Sequence, residues 1–377
     1  MTDRWAWAEI DLDAVAHNVG IVLRTVAPAA VWAVVKADGY GHGATAVARA
    51  ALDAGAAGLC VALVQEGAAL RDDGITAPIL LLSEQHGGAE AIVANELTPT
   101  VYSPGEAEAL DRAVRAAGWC EPLDVHVKID TGMHRVGAQP FDAVALVGAI
   151  TEMAGIRFAG IFTHLAVADD PTAPANAMQL ARFDEVLGGL RRAGFEPPIV
   201  HAANSAAALG LPEARHDLVR LGIAMYGIEP GEGVRHLCSE LRPVLSLHAR
   251  VSAVKTVAAG EGVSYGLRHV FAEDTRVATV PIGYADGVPR RLYGTGGEVL
   301  VHGVRRPIVG VVTMDQLMVD CGDLPVSLGD EVVLIGAQTS SHSADTITAE
   351  EWATRLGTIG YEIVCGISKR IERCRRP

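Results

Sequence analysis

Short apolar runs alternate with alanine-rich amphipathic stretches through roughly the first two thirds of the chain. About eight of these runs carry β-branched residues and end at turn residues, which predicts strands. The runs are VWAVVKA from Val31, AGLCVAL from Ala57, PILLLS from Pro78, PTVYS from Pro99, LDVHVKI from Leu123, RFAGIFTHL from Arg157, IVHAAN from Ile199 and LVRLGIAMYG from Leu218. Glycine-terminated helix patterns lie between them, so the chain is predicted to form repeated βα units around a parallel sheet.

About eight strands within roughly 200 residues favour a closed barrel over a doubly wound sheet. A helical stretch, LDAVAHNVGIVLRTV from Leu12, precedes the first strand, and no clear helix follows the eighth. The leading helix can therefore cover the place of the missing last one. We predict an α/β chain in which residues 1–240 form a TIM-like (β/α)8 barrel, with the first ~10 residues pairing with a second domain.

Residues 241–377 have a different pattern of apolar and turn residues. Valine-rich runs such as TRVATVPIGYADG and GDEVVLIG are broken by Gly, Pro and Asp. This pattern predicts a C-terminal, mostly β domain. One helix is predicted within it, TAEEWATRLG, because Thr348 and Glu351 have the spacing of a capping box.

Charge and cysteine content narrow the function classes. The 377 residues include 31 Lys and Arg against 45 Asp and Glu, a net charge of -14, which argues against nucleic-acid or anionic-membrane binding. No apolar run approaches the roughly 18 residues of a membrane span, and the N-terminus lacks a signal-peptide pattern. The six cysteines form no CxxC and no zinc-like pairing with histidine. We expect a cytoplasmic protein without a metal site.

The stretch AVVKADGYGHGATA, from Ala33, supports two interpretations. In one, Gly39, Gly41 and Gly43 shape a phosphate cradle and Lys36 is a catalytic amine. In the other, the stretch from Gly41 to Ala46 is a GxGxxA dinucleotide fingerprint, with Glu66 as the acidic residue about 20 positions on. The fingerprint expects its first glycine directly at the strand end, which weakens the second interpretation.

Other reactive residues fall at the predicted strand ends, where barrel enzymes build their active sites. They are Lys128 and Arg135 after the fifth strand, His164 after the sixth, Ser205 after the seventh, and Gly222 with Ile223 after the eighth. A hydroxyl and backbone amides after the last two strands can hold a phosphate. A lysine beside a phosphate site suggests pyridoxal 5'-phosphate held as a Schiff base.

Arg220 is unusual because it stands between Val219 and Leu221 inside an apolar run. A buried arginine requires a fixed acceptor, either a carboxylate or a ligand nitrogen. Taken singly, Lys36 could still be a surface charge and His164 a core histidine.

The combined motifs resemble those of the alanine racemases, in order and across nearly the whole chain. The motifs are AVVKADGYGHGA, VHVKIDTGMHRVG, GIFTHLAVAD, HAANSAA, RLGIAMYG, GVSYG, PIGYADG, VTMDQ and GTIGYEIVCGI. The resemblance implies a fold-type III pyridoxal-phosphate enzyme, with a barrel followed by a β domain. It also implies a head-to-tail homodimer that shares its active sites and acts on a small amino acid.

The same resemblance implies roles for individual residues. Lys36 would carry the cofactor and act as one catalytic base, and Tyr265 from the partner subunit would be the other. The remaining cofactor-binding residues would be Tyr40, Ser205, Gly222, Ile223 and Tyr361 at the phosphate, Arg220 at the pyridine nitrogen, and His164 linked to Arg220. Arg135 and the partner's Met314 would meet the substrate carboxylate, Lys128 would orient Arg135 as a possible carbamate, and Tyr284 would line the way into the site.

This residue set makes chemical sense for racemisation. A proton leaves one face of a planar carbanion and returns on the other, so two acid/base groups must stand on opposite faces. We therefore expect interconversion of L-alanine and D-alanine, supplying D-alanine for peptidoglycan. Serine or another small amino acid, or a non-catalytic pyridoxal-phosphate protein, are the alternatives.

Three positions depart from the common family motifs: Val311 replaces an arginine, Thr313 a cysteine or serine, and Gly360 a proline. We expect these changes to shift affinity and to leave activity in place.

Overall fold

The computed structural model describes residues 4–341 and 343–375. The chain divides into two compact units. The barrel unit comprises Asp13–Gly39 and Ala44–Arg242. The sheet unit comprises the chain up to Leu12, the segment Tyr40–Gly43, and the chain from Pro243 onward. The sequence pattern had assigned residues 40–43 to the barrel, whereas in the structure they belong to the sheet unit.

All eight strands predicted for the barrel are present. In chain order they are β2 (Ala30–Val34), β3 (Gly58–Val61), β4 (Ile79–Leu81), β5 (Thr100–Val101), β6 (Leu123–Lys128), β7 (Ile156–Phe162), β8 (Val200–His201) and β9 (Leu218–Leu221). Helices alternate with them: Leu12–Val26, Ala44–Asp53, Val64–Asp72, Ala89–Ala94, Pro104–Ala116, Ala143–Thr151, Pro174–Arg192 and Ser205–Gly210. The predicted leading helix is thus confirmed, and two short 3-10 turns, Ile223–Tyr226 and Glu232–Leu237, follow β9 in the barrel unit.

The parallel strands close into a barrel. β2 pairs with both β3 and β9, so the first and last strands of the set are neighbours. Backbone hydrogen bonds continue where the ladders are interrupted: Leu81 N–H donates to Thr98 O at 2.9 Å, and Arg220 N–H donates to Ala203 O at 3.0 Å. This closure confirms the barrel and is inconsistent with the open sheet that a dinucleotide-binding fold requires.

The sheet unit is mostly β, as predicted. Its strands are β1 (Ala6–Ile10), β10 (Leu245–Arg250), β11 (Ala253–Val257), β12 (Gly262–Val263), β13 (His269–Val270), β14 (Thr275–Val280), β15 (Glu298–Val301), β16 (Val304–Val309), β17 (Leu317–Gly322), β18 (Glu331–Thr339), β19 (Ala344–Ile347) and β20 (Glu372–Arg375). Ten of them form one sheet, in the order β11-β14-β17-β16-β15-β18-β10-β1-β20 with β19 beside β18. β1 pairs antiparallel with β10 and parallel with β20.

Two helices complete the sheet unit, Ala349–Leu356 and Gly360–Cys365. The first is capped as predicted, because the Thr348 side chain accepts a hydrogen bond from the Glu351 amide at 3.1 Å. Within the residues that the structure describes, no helix has both the length and the apolar content to cross a membrane.

Candidate functional site

A left-handed turn follows Lys36 at the end of β2. Ala37, Asp38, Gly39 and Tyr40 have φ of 52°, 54°, 61° and 52°. Left-handed backbone is disfavoured for residues with a Cβ, by about 1–2 kcal/mol each, so a run of it must be held by surrounding contacts. Gly41 and Gly43 continue with positive φ of 81° and 95°. The glycines noted in the sequence therefore belong to a left-handed excursion and not to a dinucleotide fingerprint.

Glu66 likewise has a different role from the one that the dinucleotide interpretation gave it. It lies at the third position of the helix Val64–Asp72, and its Oε2 accepts hydrogen bonds from the amides of Ala62 at 2.8 Å and Leu63 at 3.1 Å. The carboxylate thus caps a helix N-terminus instead of binding a ribose.

Arg220 is buried in β9, with 3% of its surface exposed. Its Nη2 donates to the carbonyl oxygens of Thr163 at 2.9 Å and Ala202 at 3.0 Å, and contacts His164 Nδ1 at 3.2 Å. Its Nη1 contacts His201 Nδ1 at 2.8 Å. All of these partners are formally neutral acceptors, since the pKa values of His164 and His201 lie well below the ordinary histidine value because of burial and then the Arg220 charge.

No carboxylate forms an ion pair with Arg220 among residues 4–341 and 343–375. The guanidinium lies over the Phe162 ring, with its central carbon 5.1 Å from the ring centroid. Burial lowers the pKa of Arg220 to about 10, so the group stays cationic at neutral pH. The Nε–H of Arg220 forms no hydrogen bond with any residue that the structure describes. Of the two acceptors considered from sequence, a ligand nitrogen therefore fits better than a carboxylate.

His201 also forms a hydrogen bond with His126. A guanidinium only donates hydrogen bonds, so His201 accepts at Nδ1 and carries its proton on Nε2. That Nε2 lies 2.9 Å from His126 Nδ1, which must then accept. Burial, opposed by Asp124 and assisted by Arg220, lowers the pKa of His126 to about 4. Gly160 makes room for this ring, because a Cβ there would lie 2.7 Å from His126 Cε1.

Lys128, at the end of β6, is also buried. Its Nζ donates to Leu82 O at 2.9 Å and lies 5.3 Å from the Phe162 ring centroid. Burial, followed by the charges of Arg220, Arg135 and Lys36, lowers the pKa of Lys128 to about 7. The neutral, nucleophilic form of this amine is therefore much more populated at neutral pH than in an exposed lysine.

A small cavity of about 10 Å³ joins three of the predicted residues. It is lined by Lys128, Ile129, Asp130, Met133, Arg135, Val136 and His164. Asp130 holds the loop that leads to Arg135, because its Oδ1 accepts the amides of Gly132 and His134, each at 3.0 Å. The structure thus brings Lys128, Arg135 and His164 together, as their strand-end positions predicted.

The turns after β8 and β9 meet at Ser205. Its Oγ accepts hydrogen bonds from the amides of Gly222 at 2.8 Å and Ala224 at 3.3 Å. The hydroxyl proton of Ser205 remains available as a donor, since no described residue accepts it. Ile223 starts the following 3-10 turn, a position whose amide has no partner within the helix.

The sheet unit holds the other predicted residues in two groups. Tyr40 and Tyr361 form one group, with ring centroids 6.0 Å apart. Tyr284 and Met314 form the second, because the amides of Tyr284 and Ala285 donate to the carbonyls of Thr313 at 2.9 Å and Met314 at 3.0 Å.

Tyr265 joins the second group through its neighbour. Ser264 Oγ donates to Val311 O at 2.7 Å, which ties the Tyr265 turn to the segment that carries Met314. The side chains of Tyr265, Met314 and Tyr284 are 72%, 52% and 42% exposed. Large aromatic and thioether groups exposed together indicate a contact surface.

Asp286 supports this second group and was missed in the sequence, where it stood inside the motif PIGYADG. It is fully buried, accepts the Gly283 amide at 3.0 Å, and lies 2.6 Å from Arg4 Nη2 and 3.4 Å from Arg370 Nε. His126 and His201 were missed as well. Each is a titratable residue inside a largely apolar motif, a pattern that marks a candidate but does not indicate which residue it contacts.

One group of potential metal ligands occurs in the described part of the chain: Glu84, His86 and Glu106, whose ligand atoms lie within 4.8 Å of one another. The Glu84 carboxylate already accepts the amides of Tyr102 and Ser103, both at 2.6 Å. Glu84 is therefore accounted for as the clamp of a helix N-terminus.

Comparison with known proteins places the chain in a family. The models described as alanine racemase N-terminal domain and C-terminal domain match residues 10–230 and 244–375. The alanine racemase of Symbiobacterium thermophilum is 47% identical over 373 residues, covering 98% of this chain and 97% of its own. The solved alanine racemase of Streptomyces coelicolor is 42% identical, with a TM-score of 0.91 over 98% of this chain and 97% of that one. A solved histidine racemase from Leuconostoc mesenteroides is 29% identical, with a TM-score of 0.91 over 100% of this chain and 99% of that one. The chain belongs to the alanine racemase family.

Proposed function

We propose that this protein interconverts L-alanine and D-alanine with pyridoxal 5'-phosphate, in the cytoplasm, and supplies D-alanine for peptidoglycan. The observation that carries the proposal is Arg220, a buried cation with neutral partners and an unused Nε–H. Family membership and near full-length relatives described as alanine racemases support the reaction. None of the six cysteines, which all lie within the described residues, forms a disulfide, and this is consistent with a reducing compartment.

The residues fit this cofactor. Lys36 supplies the amine for covalent attachment, and the Nε–H of Arg220 would face the pyridine nitrogen. The unused Ser205 proton and the Ile223 amide are donors suited to phosphate oxygens, with the Gly222 turn beside them. Tyr40 and Tyr361 would add hydroxyl donors, and their ring contact within the sheet unit supports a shared role.

Bound pyridoxal 5'-phosphate would supply an electron sink that stabilises negative charge at the substrate α-carbon. Arg220 keeps its own proton, so it would leave the pyridine nitrogen unprotonated and limit side reactions such as transamination. His164, linked to Arg220 at 3.2 Å, would help Tyr265 to act as a base. Lys36 would hold or accept the α-proton on one face and Tyr265 on the other.

The two-base arrangement would require a homodimer, in which Tyr265, Met314 and Tyr284 reach the partner's site. Their joint exposure in the single chain, and the bonds that tie their loops together, support that assignment. Met314 would meet the substrate carboxylate through its backbone amide, with Arg135 on the other side.

Lys128 would act on Arg135 as a carbamate. Its neutral amine can add carbon dioxide and release a proton to solvent, and the carbamate anion would balance the charges of Arg220, Arg135 and Lys36, which all lower the pKa of the Lys128 amine. The small cavity beside Lys128, shared with Arg135, supports this assignment.

A different amino-acid substrate is the second candidate. The histidine racemase of the same fold is similar over the whole chain, so the fold alone does not select alanine. The side chains of Tyr265, Tyr284 and Met314 would narrow the pocket and favour a small substrate. A protein that binds the cofactor without catalysis is the third candidate, and it predicts no proton exchange.

The test is incubation with L-alanine in deuterium oxide, followed by measurement of D-alanine and of α-deuterium. We expect wild type to form deuterated D-alanine, Lys36→Ala to form none, and Tyr265→Phe to be slowed at least about a hundredfold. Tyr293→Phe is the control for the loss of a tyrosine hydroxyl, because the Tyr293 hydroxyl accepts a hydrogen bond from Arg268 at 3.2 Å and has no proposed part in proton transfer. Cofactor binding without exchange for alanine, but with exchange for another amino acid, would favour the second candidate.

A further inference from the structure

The first half of the left-handed turn after Lys36 is held by polar contacts. The side chains of Ala37 and Asp38 are exposed, so apolar packing does not fix these two residues, whereas Tyr40 at the end of the turn is buried. The Asp38 Oδ1 accepts the Ala44 amide at 3.0 Å, and the Gly39 amide donates to Val35 O at 2.8 Å. The first residue of the run, Ala37, donates its amide to Glu66 Oε1 at 2.6 Å.

Glu66 therefore uses its two carboxylate oxygens for different tasks. Oε2 caps the helix Val64–Asp72 through Ala62 and Leu63, and Oε1 reaches Ala37 beside Lys36. The cap fixes the carboxylate to a regular element of the barrel unit. Because a charged acceptor forms a strong hydrogen bond with a backbone amide, Glu66 can hold Ala37 in a conformation that alanine disfavours.

We propose that Glu66 is a positioning residue, which sets the direction of Lys36 by clamping the left-handed turn. The inference rests on the proposed attachment of pyridoxal 5'-phosphate to Lys36. It assigns Glu66 no contact with cofactor or substrate. Its predicted effect is on how tightly and how fast the cofactor attaches.

Glu84 provides a matched control. Like Glu66, it uses its carboxylate to accept two backbone amides at a helix N-terminus, those of Tyr102 and Ser103 before Pro104–Ala116. It has no hydrogen bond to the turn after Lys36. A purely structural role predicts that Glu66→Gln and Glu84→Gln behave alike.

The experiment measures cofactor affinity by titration, and attachment by borohydride trapping at Lys36 with peptide mass spectrometry. In Glu66→Gln one amide acceptor becomes a donor, so we expect cofactor affinity to fall about tenfold, with slower trapping. Glu84→Gln should leave both readouts unchanged. Unchanged affinity in Glu66→Gln, or an equal loss in Glu84→Gln, would overturn the proposal.

A rescue variant separates the turn from the cap. Glycine adopts positive φ without steric cost, so Ala37→Gly should restore most of the affinity lost in Glu66→Gln. An absence of rescue would contradict the clamp. If Glu66→Gln does not fold, Ala37→Pro removes the same amide and excludes positive φ while keeping the helix cap. Normal trapping in Ala37→Pro would overturn the proposal.

These readouts are independent of turnover. A wild type that is trapped at Lys36 but racemises no amino acid would refute the proposed function and leave the clamp intact. A wild type that binds no cofactor would refute both.

Discussion

Arg220 Nη1 donates a hydrogen bond across 2.8 Å to His201 Nδ1 inside the barrel unit. This contact fixes the tautomer of His201 and, through it, the tautomer of His126. Arg220 therefore donates to His201, and His201 donates to His126. Because Arg220 can only donate, the direction of both hydrogen bonds is fixed.

Loss of His201 is expected to be costly. In His201→Leu the buried Nη1 of Arg220 loses its acceptor, so the free energy of unfolding should fall by about 2 kcal/mol or more. His126→Leu removes only the hydrogen bond between two neutral imidazoles, so its free energy of unfolding should fall by less. Urea unfolding of both variants checks the order, and an equal loss in the two would contradict the charge-based account.

Stability should depend on pH through Lys128. Its pKa is about 7 in the folded protein against 10.5 for the ordinary amine, so the unfolded chain binds the extra proton between these values. Burying the amine therefore destabilises the fold by on the order of 5 kcal/mol at pH 7 and below, and this cost is lost as pH rises to about 10.5. The free energy of unfolding of Lys128→Met should therefore exceed that of wild type by the largest amount at pH 7 and below.

Unfolding curves in buffer depleted of carbon dioxide, which prevents carbamate formation, would test this dependence. A stability difference between Lys128→Met and wild type that does not shrink between pH 7 and pH 10 would contradict it.

Asp286 should be among the most sensitive positions of the sheet unit. Asp286→Asn removes a buried acceptor that faces both Arg4 and Arg370, which are partly exposed, so we expect a loss of about 1–3 kcal/mol. Asp315→Asn is the control, because it removes an exposed partner of Arg370 at 2.7 Å and should cost less than about 1 kcal/mol. Thermal unfolding measures both. Similar losses of stability in Asp286→Asn and Asp315→Asn would show that the buried carboxylate of Asp286 is not required for stability.

Gly360→Pro should be tolerated. Gly360 is the first residue of the helix Gly360–Cys365, and Ile359 before it has extended φ and ψ of -120° and 152°. Both features suit proline, which should raise the free energy of unfolding by about 0.4–1 kcal/mol through the unfolded state. A higher melting temperature with altered cofactor affinity would support a role for the natural glycine. Equal kinetics in wild type and Gly360→Pro would refute a functional role for Gly360.

The barrel could be predicted because its signal is local. Apolar runs and glycine-terminated helices lie within short windows, and Arg220 was conspicuous between Val219 and Leu221. The chain of histidines was not predictable in this way, since His126 and His201 are 75 positions apart and each resembles an ordinary core residue. Asp286 meets Arg4 across 282 positions. The left-handed run at Ala37 and Asp38 was hidden as well, because neither residue type indicates positive φ.

The position of β1 has a consequence for biosynthesis. It lies between β10 and β20, so its two edges are paired with strands made at very different times. β20 leaves the ribosome after every other strand of this sheet, and long-range pairing of this kind forms slowly. Until then the nascent chain exposes an unpaired edge of β1, which makes incomplete translation products of this protein prone to association.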